Sequence, residues 1–248
     1  SAVGLKTTFI PKCPDGLQVV DSLGDLKTWP GYKEGHWTVQ DRSSQWVAPL
    51  LDPKPGDRVL DACAAPGGKA THLAELMGNI GELWAVDRSP VRVKRLLSNA
   101  SRLRTSCMQT LVADATTLID KNPSWKNSFQ RILVDAPCSG LGTLARHPDA
   151  RWRINQERIH ELILLQRQLL EGLLPLLSPG GKMVYATCTI HPQENSEMVS
   201  SFLANHSKLF LEKQEQIWPD KESVGDGFYA AILVDLRTVK SKQVSLIC

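Results

Sequence analysis

The stretch Asp61-Ala62-Cys63-Ala64-Ala65-Pro66-Gly67-Gly68-Lys69 decides how this chain is read. An apolar run that opens at Arg58 leads into it, and a segment with Leu73, Leu76 and Met77 on one helical face leaves it. Strand, tight glycine turn and helix start together make a ligand-binding junction. Adjacent glycines let backbone N–H groups approach a bound molecule, and a helix N-terminus favours negative groups. The spacing is neither a GxxxxGK[ST] phosphate loop nor a full GxGxxG fingerprint. Alone, the turn marks a ligand at the first strand–helix junction or is a glycine turn that binds nothing.

Downstream the pattern alternates. Strands are expected over residues 58–63, 82–87, 109–114, 131–135 and 182–188, and helices over 69–77, 90–103, 155–177 and 193–204. The helix at 90 has proline in its first turn, and a polar loop fills the stretch up to 128. The long helix carries Ile159, Leu162, Ile163, Leu169, Leu170, Leu173 and Leu177 on one stripe, and Ser178-Pro179-Gly180-Gly181 stops it. Alternating βα units with continuously apolar strands predict an α/β fold, a doubly wound and mostly parallel sheet. Residues 209–217 and 228–236 are strand-like without a helix between them, so an antiparallel hairpin closes the sheet. Before the core, residues 43–51 read as a helix with Ser or Asp near its cap. Residues 1–35, rich in Pro, Gly and Lys with a short strand near 17–20, read as an appendage, leaving 36–248 as the main domain.

At 248 residues with 42% hydrophobic content, the chain is long enough for a real core. A net charge of +3 permits a nucleic-acid partner without requiring one. The six cysteines form no CxxC pair, which predicts free thiols in a reducing, cytoplasmic setting. No membrane-length apolar run and no HExxH-type spacing is present, so neither a membrane nor a metal is expected.

Ligands of such sheets sit outside the carboxyl ends of the strands. Distinctive residues fall at those ends: Asp87, 20 residues beyond Gly67, then Asp114, Asp135 and Cys188. An acid at the Asp87 distance commonly reaches ribose hydroxyls, and Asp114 is placed to accept from an exocyclic amine. Acids that read ribose and base, with no phosphate-loop lysine–serine pair, point to an adenosine ligand without phosphates. S-adenosylmethionine fits that description. Cys138, in Asp135-Ala136-Pro137-Cys138, and Cys188, in Ala186-Thr187-Cys188, end successive strands. If those strands are neighbours they lie about 5 Å apart, and both thiols face the ligand crevice. Cys13, Cys63, Cys107 and Cys248 read as small buried hydrophobes, with the Cys63 backbone close to the cofactor.

The chain resembles the RNA (cytosine-5) methyltransferases of the Sun/Fmu/Nop2 family, and within it the bacterial enzymes of small-subunit (16S) ribosomal RNA. The resemblance runs from about Gly35 to Leu236 and rests on HWTVQD, DACAAPGGK, AVDRS, the Asp114 strand end, VDAPCSGLGTLARHPDARW, YATCTIHPQEN and DGFYAAIL. It implies a Rossmann-like class I methyltransferase. Cys63, Ala64, Ala65, Pro66, Gly67, Gly68 and Lys69 would cradle the methionine part of S-adenosylmethionine. Asp87 with Arg88 would hold the ribose, and Asp114 would lie near the adenine amine. Cys188 would add to C6 of the target cytosine, Asp135, beside the cofactor, would hydrogen-bond the ring near N3, and Cys138 would help remove the C5 proton. Having both cysteine motifs points to RNA, since DNA enzymes use the Pro-Cys thiol as nucleophile. The bacterial ribosomal enzymes also carry a helical RNA-binding domain before this region, so residues 1–35 would be the end of a connecting segment.

Arg146, Arg151, Trp152 and Arg153, in the loop after Cys138, are expected to touch RNA phosphates and bases. The helix with Arg88, Arg92, Lys94, Arg95, Arg102 and Arg104 reads better as a solvated basic face. The whole reads as a monomeric enzyme on single-stranded or opened rRNA. The same chemistry on tRNA, or a non-catalytic RNA-binding assembly factor, are the alternatives.

Overall fold

The computed structural model describes residues 7–10, 13–19, 24–219 and 225–238. A small hairpin comes first, β1 (Thr7–Ile10) against β2 (Cys13–Val19). Two short helices follow, α1 (Arg42–Gln45) and α2 (Val47–Leu51), in place of one continuous helix. Asp41 caps the first by accepting from the Ser43 and Ser44 N–H groups.

The main body contains β3 (Arg58–Asp61), α3 (Gly68–Leu76), β4 (Glu82–Asp87), α4 (Pro90–Arg102), β5 (Met108–Val112), α5 (Leu118–Lys121) and β6 (Phe129–Asp135). It continues with α6 (Ala150–Arg153), α7 (Gln156–Leu173), β7 (Leu177–Thr187), α8 (Ser196–Leu203), β8 (Leu209–Ile217) and β9 (Phe228–Asp235). The sheet order is β5-β4-β3-β6-β7-β9-β8. The first five strands in that order pair in parallel, whereas β9 runs antiparallel to both β7 and β8.

Side chains alternate across each strand, so one sheet face meets α2, α3 and α4 and the other meets α5, α7 and α8. Val47, Leu51, Leu73 and Met77 pack on Val59, Leu83 and Val184 on the first face. On the second, Leu169, Leu170, Leu173, Val199 and Phe202 pack on Ile132, Val134 and Tyr185. The chain reverses its direction of travel between β3 and β6. That switch point opens a crevice at the carboxyl ends of the central strands, the usual place for a ligand in an open α/β sheet.

The alternation and the C-terminal hairpin agree with expectation, and the differences have local causes. The stretch expected as a polar loop up to 128 buries Leu118 and Trp125 through α5 and two 3-10 turns. The long helix stops at Leu173, because Pro175 cannot continue it; a 3-10 turn links it to β7. Residues 178–181 do not form a separate loop but bulge within β7, where Leu177 pairs with Phe129 and Lys182 with Arg131. The third core strand ends at Val112, not at Asp114, whose side chain turns the backbone by accepting from the Thr116 N–H.

Candidate active site

The junction between β3 and α3 is built around Gly67, which stands at φ +108° as the helix cap. A Cβ there would sit 3.0 Å from Leu96 Cγ, so glycine is required by both backbone angle and space. No side chain caps α3, which leaves its first N–H groups directed at the crevice. Asp87 lies buried beside this loop. Its carboxylate accepts from the Ala65 N–H (3.3 Å) and the Ser89 N–H (2.9 Å). Arg92 pairs with the same carboxylate and donates to the Ala65 carbonyl, so one residue of the basic helix closes over the loop. Arg88 and Asp114 are both exposed, and the positive charge of Arg88 acts on the Asp114 carboxyl. That carboxyl is held below its ordinary range chiefly by hydrogen bonds from Thr116.

Beneath the junction lies a cluster of acids with one lysine. Lys69 Nζ is 2.8 Å from Asp135 Oδ2 and 5.0 Å from the centre of the Phe228 ring. Burial opposes the charge on Lys69, but Asp135 and Asp61 outweigh it and hold the ammonium above its ordinary value. Asp61 itself is fully buried, and neither of its oxygens has a hydrogen-bond partner of normal geometry. Burial, with the neighbouring charges of Asp135 and Asp87, pushes its carboxyl up to about 8. Asp61 opens the glycine-turn stretch, and nothing in the sequence pattern gives it a role. Its only signal was an acid inside an otherwise apolar strand.

Because β6 and β7 are hydrogen-bonded neighbours, their ends bring Cys138 and Cys188 together. The Sγ atoms are 3.4 Å apart. The two thiols are unlike. A hydrogen bond from Cys138 draws the Cys188 thiol below its ordinary value, with help from Lys69, while burial, Asp135 and Asp226 oppose it. Cys138 is driven well above its ordinary value by that same hydrogen bond, by burial and by the charges of Cys188 and Glu194. Of the two, Cys188 is thus the thiol that ionises more readily, and Cys138 the one that holds its proton. Burial pushes the Cys63 thiol up, as befits a small core residue.

Tight backbone packing fixes Cys188. Gly142 N–H donates to the Cys188 carbonyl at 3.1 Å, and Gly227 N–H donates to the Gly142 carbonyl at 2.8 Å. A Cβ on Gly142 would stand 2.1 Å from the Gly227 oxygen and 2.8 Å from the Cys188 oxygen. Of the loop residues expected to meet RNA, Arg146 is engaged with the buried Asp226. Arg151, Trp152 and Arg153 stand on the surface; Trp152 is 86% exposed, with Arg151 5.9 Å from its ring. Among the described residues no cluster of three His, Cys, Asp or Glu side chains suits a metal, and no helix is long and apolar enough to cross a membrane.

Residues 48–235 match the family model described as 16S rRNA methyltransferase RsmB/F. The chain belongs to this family. A similar protein is a probable ribosomal RNA small subunit methyltransferase B of Synechocystis, 44% identical over 221 residues, covering 89% of this chain and 49% of that one. The chain spans about half the length of the curated relatives it matches. A solved methyltransferase homologue from Pyrococcus horikoshii superposes with TM-score 0.82 at 29% identity, over 94% of this chain and 79% of the other. NSun6 from the same organism, solved with SFG, superposes with TM-score 0.77 at 28% identity, over 90% and 60%. S-adenosylmethionine is the cofactor of an RsmB/F-type methyltransferase, and the junction fits it. An uncapped helix N-terminus suits the carboxylate of a methionine moiety, and a buried acid at the end of β4 suits ribose hydroxyls.

Proposed function

We propose that this chain carries the catalytic domain of an RNA (cytosine-5) methyltransferase acting on small-subunit ribosomal RNA through a covalent cysteine adduct. We assign residues 36–248 to that domain and residues 1–35 to an appendage of it. The observation that carries the reading is the pair of thiols 3.4 Å apart at the carboxyl ends of β6 and β7 beside the cofactor loop, Cys188 drawn below its ordinary value and Cys138 driven above it.

Carbon 5 of cytosine is a poor nucleophile. Bonding of Cys188 Sγ to C6 makes it a good one, since the C5–C6 π pair becomes available at C5. S-adenosylmethionine, when bound, supplies an electrophilic methyl group. Asp135 lies 2.8 Å from Lys69 Nζ; as the adduct forms, the ammonium passes a proton through Asp135 to ring N3, where electron density gathers, and the proton returns by the same route on elimination. Once Cys188 is bonded to carbon, Cys138 no longer faces a thiolate acceptor. It yields its proton to solvent and takes the proton from C5. The C5–H pair then rebuilds the C5–C6 double bond, and Cys188 leaves as thiolate. The Cys63–Lys69 loop and Asp87 hold the cofactor, and Arg92 swings off Asp87 to admit the ribose. Asp114 and Arg88 lie toward the adenine. Arg151, Trp152 and Arg153 contact RNA, with Arg146 tying their loop to Asp226. The target base leaves its stack to enter the crevice, so the substrate is single-stranded or opened on binding.

Transfer of labelled methyl from S-adenosylmethionine to small-subunit ribosomal RNA, followed by digestion to nucleosides, tests this. The label is expected in 5-methylcytidine. Label in another nucleoside, or none beyond a Cys188→Ser control, contradicts it.

A further inference from the structure

Glu194 is wholly buried, in the 3-10 turn Pro192–Glu194 ahead of α8. A buried carboxylate is costly unless several donors satisfy it. Three do. Ser139 N–H donates to Glu194 Oε1 at 2.9 Å, Gln166 Nε2 donates to the same oxygen at 2.9 Å, and Ser139 Oγ donates to Oε2. Ser139 follows Cys138 directly. Its hydroxyl also meets Thr189 Oγ1 at 2.7 Å, and Thr189 follows Cys188 directly. Gln166 donates in addition to the Pro137 carbonyl, on the other side of Cys138. The Glu194 backbone carbonyl is fixed by Tyr185 Oη from within β7. One carboxylate thus holds the residues flanking both thiols.

We propose that Glu194 is a positioning residue for the thiol pair: its buried carboxylate clamps the turn after β6 to the turn after β7 and holds the two thiols in contact as an unlike pair. The proposal rests on the reading of Cys138 and Cys188 as the reacting pair. Its geometry concerns the resting protein alone. The negative charge of Glu194 acts on Cys138, whereas Cys188 faces Lys69 from α3, Asp135 from β6, Asp226 just before β9, and Arg146 from the loop after β6. Neutralising Glu194 therefore removes one contribution that favours the proton on Cys138, beside those of Cys188 and burial, and leaves the charges around Cys188 in place.

Alkylation by iodoacetamide reads the two thiols separately, without RNA or cofactor, by mass spectrometry of the peptides. In the wild-type protein Cys188 is expected to react at least tenfold faster than Cys138 at pH 7.5. Glu194→Gln is expected to lower that selectivity at least fivefold and to move the midpoint of the Cys188 pH profile upward. Glu194→Asp keeps the charge and is expected to recover part of the selectivity. Should Glu194→Gln fail to fold, Ser139→Ala severs the hydroxyl link between Glu194 and Thr189, and a smaller drop of at least twofold is expected. Unchanged selectivity and profile in folded Glu194→Gln, or in Ser139→Ala where that variant is the one that folds, overturns the proposal. Because no RNA enters the assay, a failure here is distinct from a failure to methylate cytosine.

Discussion

Cys138 Sγ and Cys188 Sγ lie 3.4 Å apart, and their surroundings shift them in opposite directions, Cys138 upward and Cys188 downward. Parallel pairing of β6 with β7 makes this possible, because two adjacent strands end level at the same edge of the sheet. The proposed division of labour rests on the asymmetry of the pair: Cys188 attacks, and Cys138 is kept out of that role until carbon has replaced the acceptor.

Removing the donor should raise the Cys188 value. In Cys138→Ala the pH midpoint for Cys188 alkylation is expected to shift upward, and the rate at pH 7 to fall several-fold. Cys138→Ser keeps a donor and is expected to shift it less. Equal profiles in all three proteins would show that Lys69 alone sets the thiolate.

Asp61 makes stability depend on pH. Its folded value, about 8, lies above the ordinary 3.8, so the folded protein keeps a proton that the unfolded chain releases. Stability from this group is full below pH 4 and is lost as pH rises toward 8. Asp61→Asn is expected to stabilise the protein by about 1–3 kcal/mol at pH 8 and to do nothing at pH 4, as read by urea unfolding. A loss of stability at pH 8 would mean that the charged form is satisfied.

Gly142→Ala places a methyl group against two backbone oxygens that cannot move independently. The cost is expected to be about 1–3 kcal/mol by thermal unfolding, with methyl transfer falling further than stability alone explains. Full activity at normal stability would show that the loop carries no constraint on Cys188.

Trp152 is exposed beside Arg151 and Arg153, and nothing in the fold requires a large aromatic there. Trp152→Ala is expected to weaken RNA binding by about 1–3 kcal/mol while leaving the melting temperature unchanged. Replacing Arg151 and Arg153 with Gln is expected to flatten the salt dependence of binding. Binding that is indifferent to all three would move the RNA path elsewhere.

Much of this was legible in the sequence because period and punctuation carried it. Alternating apolar strands and amphipathic helices gave the doubly wound sheet, and the glycines at 67 and 68 marked its ligand junction. The pairing of Cys138 with Cys188 followed once their strands were neighbours. Pattern reading extended α7 to Leu177, since an apolar stripe continues past the point where Pro175 breaks the helix. It also read the stretch before β6 as a loop, because helices of one turn have no period to detect. The buried acids Glu194 and Asp61 escape sequence reading because burial of an acid is a tertiary fact. One clue was present: Gln166 interrupts the buried stripe of Leu162, Leu169 and Leu170, where periodicity calls for an apolar side chain. A polar residue at such a position points to a buried partner, and Glu194 is that partner.

The most direct test of the central claim is covalent trapping on RNA containing 5-fluorocytosine, with S-adenosylmethionine present. Fluorine at C5 blocks the final proton removal, so a nucleophile that has attacked stays bonded to the base. A denaturation-resistant protein–RNA adduct is predicted for the wild type and for Cys138→Ser, and none for Cys188→Ser. An adduct lost in Cys138→Ser and kept in Cys188→Ser would contradict the assignment of the two thiols.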